Sequence, residues 1–483
     1  MTNKKWFSDA LLINRDPIWY GVLTNCDSAE AAEGALRSFF TKFTEHKITD
    51  IQLCVFENTS IIPSDAVMWR GLKYLQTEEN GIPVSYPGLE YLYRTYTEFG
   101  LDPVQIILDT VRAGGIRPWI TLRMNDAHFG YDETAFLRDD FFYVAKENGW
   151  MIGDRYGYFG HCLDYGCEPV RARMLSFIGE ILDKYDIFGL ELDFMREIFS
   201  FDYLSNPNCR DQMNGFISDV RALCMKAGAR RGHPVRLMVR VPRSIEDAYV
   251  FGFDVGAWVR NGWIDAIVPT PRWEIVDDAI PVAAWKALVG EDVAVFPGLE
   301  ILCVNHSMLT HETAKAYSAA WNTQGADGLY FNNHDYATPE HVKVYGLHRD
   351  TVLEGSRRYI VTYQDIAAEG NPQYWPLPMT VDGQGTMQLC IGPVRKGERL
   401  TVYANVTDGA LAMQLDGQML GEGERCTVLE ELDLFHAGER VALTGDGSTY
   451  RYSAPGFVTA GSVTLTLQGH GVLDYLEFRI EAE

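Results

Sequence analysis

Residues 117–125 read Arg117-Pro-Trp-Ile-Thr-Leu-Arg-Met-Asn125, a short and mainly apolar run. Its length and its flanking residues are typical of a buried strand. Side chains alternate along a strand, so Arg123 and Asn125 are expected on one face. Asp126 and His128 follow directly. The run therefore predicts a strand that carries a polar cluster at its carboxyl end.

Seven further apolar runs of this kind alternate with amphipathic stretches. The eight predicted strands are Ile18–Asn25, Asp50–Glu57, Arg117–Asn125, Phe188–Arg196, Arg236–Pro242, Ala266–Thr270, Val293–Glu300 and Gly328–Asn333. The predicted helices include Ala29–His46, Pro103–Ala113, Asp211–Arg230 and Thr310–Gln324. Eight strand–helix units predict an α/β fold, a closed parallel (β/α)8 TIM barrel. An open doubly wound sheet is the alternative, but no glycine-rich phosphate-binding turn follows the first strand.

The pattern changes at about residue 360 to period-two alternation interrupted by glycine turns. We therefore predict a catalytic barrel over residues 1–357 and an antiparallel β-sandwich over residues 358–483. Two connections in the barrel, after strands 2 and 3, are much longer than usual. Long loops on the catalytic face of a barrel are expected to shape the substrate cleft.

The composition of the 483-residue chain is that of a globular protein, with 47% hydrophobic and 22% charged residues. Its formal net charge of −24 argues against nucleic acid and anionic membranes as partners. Nine cysteines show no metal-type spacing, and the first residues lack the apolar stretch of a signal peptide. We expect a cytoplasmic protein with reduced thiols and no cofactor, although a secreted protein without its signal peptide would look the same.

Arginines lie at the predicted carboxyl ends of three successive strands: Arg123, Arg196 and Arg240. A guanidinium keeps its charge at any working pH and binds a carboxylate through two parallel hydrogen bonds. Three of them at one rim of an acidic protein predict a site for a small anionic substrate. Asn125 is expected to contribute to the same substrate-binding surface.

Glu191 and Asp193 share one face of the fourth predicted strand. Charged side chains that face a barrel interior are costly unless they are paired. We therefore expect these two carboxylates to hold Arg123, Arg240 or both in place. A purely structural salt-bridge network remains the alternative for this strand.

His128 lies beside these arginines, and an imidazole exchanges a proton near neutral pH. A histidine in this position is suited to activate water for hydrolysis, with Asp126 orienting it. A metallohydrolase is one alternative, with His128, Glu191, Asp193 and His334 as ligands from different strands. A retaining glycosidase with Glu191 and Glu300 as its carboxylate pair is another.

The spacing Arg123-x4-His128, Arg196 at the end of strand 4 and the C-terminal β-domain give the chain a family resemblance. It resembles the inverting exo-sialidases of glycoside hydrolase family 156, over essentially its whole length. The resemblance implies hydrolysis of terminal sialic acids from sialylated glycans, and it weakly favours a homodimer. It implies that His128 is the catalytic histidine and that Arg123 and Arg196 bind the substrate carboxylate.

The same resemblance implies a substrate-binding asparagine on strand 8, Asn332 or Asn333. It also implies a catalytic aspartate near the N-terminus. Asp9 is our choice for this aspartate, because a turn before strand 1 would return it to the catalytic rim. With strand 1 at Ile18–Asn25, Asp16 would lie at the opposite end of the barrel, and Asp27 is the other candidate.

Overall fold

The computed structural model describes residues 5–79, 81–84, 86, 88–130, 132–271, 280–300, 310–333, 347–361, 377–426, 432–436, 439–443 and 449–482. The chain divides into two compact units. The N-terminal unit comprises Ala10–Val268 with Leu288–Ala294, and the C-terminal unit comprises Met1–Asp9, Pro269–Ala287 and Val295–Glu483. Every helix in the described ranges is too short or too polar to cross a membrane. The eight cysteines in these ranges are free thiols.

A parallel sheet forms the centre of the N-terminal unit. The strands of this region, in chain order, are β1 (Ala10–Arg15), β2 (Asp50–Glu57), β3 (Thr59–Ser60), β4 (Glu78–Glu79), β5 (Ile82–Pro83), β6 (Arg117–Arg123), β7 (Gly189–Asp193), β8 (Arg236–Pro242), β9 (Ala266–Thr270) and β10 (Ala294–Val295). β3 pairs antiparallel with β2, and β4 and β5 form a separate two-stranded sheet. The order β1-β2-β6-β7-β8-β9 runs across the sheet. Neighbours from β1 to β8 are parallel. Every residue of β2 and β7 is buried, as expected for parallel strands that are covered on both faces.

Helices connect these strands. Their bounds are α1 (Ala29–Thr41), α2 (Leu89–Thr97), α3 (Pro103–Ala113), α4 (Asp140–Asn148), α5 (Glu168–Lys184), α6 (Cys209–Arg231), α7 (Ile245–Val250), α8 (Val255–Arg260) and α9 (Val282–Val289). Short 3-10 helices cover Pro17–Leu23, Lys42–His46, Arg70–Leu75, Ala127–Gly130, Asp132–Leu137 and Asp154–His161. The side chain of Ser28 caps α1, and Asp102 caps α3 in front of Pro103. These caps satisfy backbone N–H groups that a helix start leaves free.

The C-terminal unit contains a parallel pair, β11 (Gly298–Glu300) and β12 (Gly328–Asn332), and the helix α10 (His311–Thr323). Antiparallel strands follow: β13 (Arg357–Ile360), β14 (Met379–Cys390), β15 (Glu398–Leu415), β16 (Gln418–Met419), β17 (Glu424–Arg425), β18 (Leu432–His436), β19 (Glu439–Leu443), β20 (Thr449–Ala454) and β21 (Ser462–Ala482). The longest, β21, pairs with β13, β14 and β15. The predicted change to antiparallel structure in this region is confirmed.

The prediction for the first strand was wrong. Residues predicted as Ile18–Asn25 instead form the 3-10 helix Pro17–Leu23, and β1 lies earlier, at Ala10–Arg15. Asp16 accepts a hydrogen bond from the backbone N–H of Ile18 and caps this helix, with Pro17 in the first helical position. Asp16 therefore follows the carboxyl end of β1, and the expectation that it lies at the opposite end was also wrong.

Candidate functional site

Four charged residues lie side by side at the carboxyl ends of adjacent strands. Glu57 on β2 is in register with Arg123 on β6, Arg123 with Asp193 on β7, and Asp193 with Arg240 on β8. All four side chains are buried. Negative and positive charges therefore alternate along this row, which is how a sheet accommodates four charges away from water.

Arg123 lies at the centre of a cluster of carboxylates. Its Nη2 donates to Asp16 Oδ2 at 2.8 Å, and its Nη1 donates to Glu57 Oε1 and lies 3.4 Å from Asp126 Oδ2. Burial opposes the charge of the guanidinium, but Asp16 and Glu57 outweigh it and raise the pKa of Arg123 well above its usual value. Arg123 is thus a buried cation that joins the ends of β1, β2 and β6.

His128 lies in the 3-10 helix that follows β6, and its side chain is 29% exposed beside otherwise buried partners. Asp126 Oδ1 lies 2.6 Å from the imidazole Nδ1 and accepts the backbone N–H of His128 at 2.9 Å. Burial favours the neutral ring, whereas the charge of Asp126 favours the protonated ring and Arg196 opposes it. Together these effects raise the pKa of His128 above its ordinary 6.5.

Arg196 contacts both members of this pair. Its Nε lies 3.3 Å from Asp126 Oδ2, and its Nη2 lies 2.7 Å from Nε2 of His128 and 2.9 Å from Nδ1. Asp193 accepts the backbone N–H of Arg196 at 3.0 Å and so anchors the segment after β7. In the neutral ring, Nδ1–H donates to Asp126 and Nε2 accepts from Arg196. Protonation of Nε2 would set two positive groups against each other.

The pKa values of two carboxylates in this cluster, Asp126 and Glu57, are shifted in opposite directions. Burial disfavours a charged Asp126, but His128, Arg196 and Arg123 lower the pKa of Asp126 well below its usual value. Burial dominates at Glu57 and raises its pKa, although Arg123 and Arg70 favour the charged form. Asp126 is therefore the firmly ionised partner of His128.

Asn125, Arg240 and Glu191 occupy fully buried positions. Asn125 bridges backbone groups, donating to the carbonyls of Leu163 at 3.0 Å and Phe199 at 3.2 Å, and accepting from Leu163 N–H. Arg240 donates to Asp193 Oδ2 at 3.0 Å, as predicted for this pair. Glu191 accepts a hydrogen bond from the hydroxyl of Thr121, and these two residues are in register two positions before Arg123 and Asp193. In these contacts the three side chains support the ends of the strands.

The remaining predicted residues belong to the C-terminal unit. Asp9 accepts hydrogen bonds from the backbone N–H of Arg349 at 3.1 Å and lies 3.3 Å from Nδ1 of His348. Asn332 and Asn333 are buried, and Asn333 has a positive φ of 52°. His334 lies outside the described residues, as does the side chain of Glu300. The catalytic role of Asp9 and the substrate-binding role of Asn332 or Asn333 stay predictions, as do the alternative roles of His334 and Glu300.

Sequence reasoning missed several residues that the fold brings to His128. Asp16 was predicted at the wrong end of the barrel because strand 1 was assigned to the wrong residues, although Asp16-Pro17 is a recognisable helix start. Glu197 accepts the backbone N–H of Ala127 at 3.2 Å and the hydroxyl of Tyr158 at 3.0 Å. Asn58 donates to the carbonyl of Asp126 at 2.7 Å. These contacts join distant segments, and a pattern within one segment does not reveal them.

The same cluster has the spacing of a cation site. One ligand atom each from Glu57, Asp126 and His128 lies within 4.8 Å of the others. The guanidiniums of Arg123 and Arg196 already contact these groups and supply their positive charge. A divalent cation would be repelled by both arginines, so we assign no metal ion to these residues.

Comparison with protein-family models gives no match. Comparison with curated proteins gives none either. The solved structures that the chain resembles include a cycloisomaltooligosaccharide glucanotransferase from Paenibacillus sp., with a TM-score of 0.38 and 10% identity over 98% of this chain and 58% of that one. Another is alpha-L-fucosidase isoenzyme 2 from Paenibacillus thiaminolyticus, with a TM-score of 0.42 and 11% identity over 67% of this chain and 46% of that one.

A third is the GH36 alpha-galactosidase AgaA from Geobacillus stearothermophilus, with a TM-score of 0.38 and 12% identity over 95% of this chain and 55% of that one. The chain thus spans about half the length of these three proteins. At such TM-scores the likeness carries no argument about the site.

Proposed function

We propose that the chain is a glycoside hydrolase, and more narrowly an inverting exo-α-sialidase that releases terminal sialic acids from sialylated glycans. In this proposal the parallel strands belong to a (β/α)8 barrel and the antiparallel strands to a β-sandwich. The proposal places the reaction at the carboxyl ends of the parallel strands, where enzymes with this architecture carry their catalytic residues.

The observation that carries the proposal is the setting of His128. Its ring is the partly exposed member of a buried ionic cluster, and Asp126 lies 2.6 Å from Nδ1. A carboxylate at Nδ1 fixes the tautomer and leaves Nε2 as the basic atom, which accepts from Arg196 until a substrate carboxylate binds that guanidinium. A histidine held in this way can take a proton from water as that water attacks an anomeric carbon.

A sialic acid carries its carboxylate on the anomeric carbon, so a cation is needed close to the base. Arg196 supplies one, because its guanidinium touches both ring nitrogens of His128. When the substrate carboxylate binds at Arg196, it is held beside the anomeric carbon. Its negative charge then stabilises the positive charge that develops on the sugar ring in the transition state. The activated water bonds to the anomeric carbon from the face opposite the aglycone, the bond to the aglycone oxygen breaks and that oxygen takes up a proton, so the configuration is inverted without a covalent intermediate.

Among the aspartates near the N-terminus, Asp16 fits the proposed catalytic aspartate best. It follows β1, and its Oδ2 accepts from Arg123 at 2.8 Å. The retaining alternative requires Glu191 as one of two reacting carboxylates. Glu191 is fully buried and accepts the hydroxyl of Thr121, so it has the setting of a structural group. We therefore prefer His128 to Glu191 as the reacting residue.

An NMR time course with purified protein and a 4-methylumbelliferyl α-sialoside tests the proposal. We expect β-sialic acid as the first product, because inversion converts the α-linked substrate into the β-anomer. His128→Gln should reduce kcat by about 100-fold or more, as expected for loss of a general base. His233→Gln is the matched control, because His233 also pairs with an aspartate, Asp186, at 2.8 Å.

Release of the α-anomer first would rule out inversion. No turnover of the sialoside, together with turnover of a neutral or uronic-acid glycoside that Glu191→Gln abolishes, would favour the retaining alternative. Full activity of His128→Gln on the sialoside would remove His128 from the mechanism.

A further inference from the structure

The turn that carries His128 is held by a side chain from a different strand end. Asn58 lies directly after β2, and its Nδ2 donates to the backbone carbonyl of Asp126 at 2.7 Å. Asn58 is buried, with 8% of its surface exposed. The backbone of Asp126 is thus held by Asn58 while its carboxylate contacts His128.

The backbone at Asn58 explains why an asparagine is suited to this position. Glu57 and Thr59 pair with each other across the antiparallel contact of β2 and β3, so the chain reverses over Asn58 alone. Its φ is +59°, a left-handed conformation open to glycine and, among other residues, mainly to asparagine and aspartate. Glycine would permit the reversal but has no side-chain amide, and the side chain of aspartate has no N–H to donate.

Further contacts hold the reversal itself. Arg70 is fully buried, and it donates from Nε to the hydroxyl of Thr59 at 2.9 Å and from Nη2 to the carbonyl of Glu57 at 3.2 Å. The residues on both sides of Asn58 are therefore fixed by one guanidinium. A fixed backbone gives the amide of Asn58 a defined direction toward Asp126.

We propose that Asn58 is a positioning residue for His128, acting through Asp126. Its amide fixes the peptide group after Asp126, and this in turn fixes the carboxylate that contacts Nδ1 of the imidazole. The inference rests on the proposed role of His128 as the base. The positioning role can also be tested without an activity assay, through the titration of His128.

The decisive variant is Asn58→Gly, which keeps the left-handed backbone without strain and removes only the amide. Asn25→Gly is the matched control, because Asn25 also has a left-handed backbone, with a φ of +65°. The side chain of Asn25 is exposed and accepts the hydroxyl of Tyr91 at 3.0 Å, away from Asp126.

The first measurement is the titration of His128 by NMR in protein with 13C-labelled histidine, with the signal assigned through His128→Gln. The pKa of His128 should fall toward its ordinary value in Asn58→Gly, because the contact with Asp126 loosens. Asn25→Gly should leave that pKa unchanged. The second measurement is kcat/KM against pH, where loss of alignment should reduce kcat by about tenfold or more with little change in KM.

An unchanged His128 titration in folded Asn58→Gly would overturn the inference, whatever the enzyme hydrolyses. A changed titration in a protein that hydrolyses no sialoside would support the positioning role and remove the proposed function. An equal loss in Asn25→Gly would reduce Asn58 to general support of the fold.

Discussion

His128 experiences opposite charges at nearly equal distance, with Asp126 Oδ1 at 2.6 Å and Arg196 Nη2 at 2.7 Å. The carboxylate favours a protonated ring, and the guanidinium favours a neutral ring whose Nε2 accepts a hydrogen bond. Burial also favours the neutral ring, yet the balance leaves the pKa of His128 raised. The residue is therefore a base whose strength depends on a neighbouring charge, and that dependence can be measured.

Replacing Asp126 by asparagine should change the pH dependence of the reaction. In the wild type, kcat/KM should fall with decreasing pH as His128 is protonated, with an apparent pKa above 6.5. Asp126→Asn removes the negative charge that raises this pKa, so the acid limb should move to lower pH. The maximum rate should also fall by about tenfold or more, because Nδ1 loses its carboxylate.

The measurement is kcat/KM on a sialoside across the pH range in which the protein stays folded. Asp186→Asn is the matched control, because Asp186 pairs with His233. An acid limb that stays in place in Asp126→Asn would show that another group controls the protonation.

At the scale of elements, the sequence predicted most of the parallel strands because their apolar runs end in clear polar boundaries. β2, β8 and β9 have the predicted bounds, and α3 does as well. The first strand failed because residues 10–15 and 18–25 are both short apolar runs, and periodicity does not distinguish them. The cap formed by Asp16 and Pro17 was the signal that separates the two runs.

The candidate site was predictable mainly where one strand end carried it. Arg123, Asp126 and His128 follow one strand, and the alternating row added the predicted pair of Asp193 and Arg240. The partners of Arg123 come from other strand ends, and register between strands decides which carboxylates meet it. Glu57 and Asp16 hold Arg123 through register and turn geometry that no local pattern contains.

Strand β21 offers a test of burial, because it carries two glutamates that each bind an arginine. Glu477 is fully buried and accepts from Arg358 at 2.6 Å, whereas Glu481 and its partner Arg399 are 42% and 57% exposed. Glu477→Ala should lower the free energy of unfolding by about 3 kcal/mol, because it removes the fully buried carboxylate that pairs with both Arg358 and Arg479. Glu481→Ala should cost about 0–1 kcal/mol.

Urea unfolding of the two variants beside the wild type measures both free energies. Equal losses in Glu477→Ala and Glu481→Ala would show that burial does not set the strength of these pairs.

At the scale of the whole molecule, ionised carboxylates in both units link stability to pH. The pKa values of four are lowered in the folded protein: Asp9, Asp126, Glu398 and Glu477. A lowered pKa contributes stability that is present above the ordinary pKa and is lost as the pH falls through the folded value. Glu57 and Asp164 oppose this trend, because a raised pKa contributes stability at low pH that is lost as the pH rises.

Four lowered pKa values against two raised values predict that the free energy of unfolding decreases as the pH falls below about 5. Urea unfolding at a series of pH values, followed by tryptophan fluorescence, measures this slope. Salt at about 0.15 M screens the repulsion that the net charge of −24 causes and that acid relieves. Glu477→Gln keeps the size of the side chain and cannot ionise, so its slope should be shallower than that of the wild type. Equal slopes, or a wild type that gains stability between about pH 5 and pH 3, would show that the buried carboxylates do not control acid unfolding.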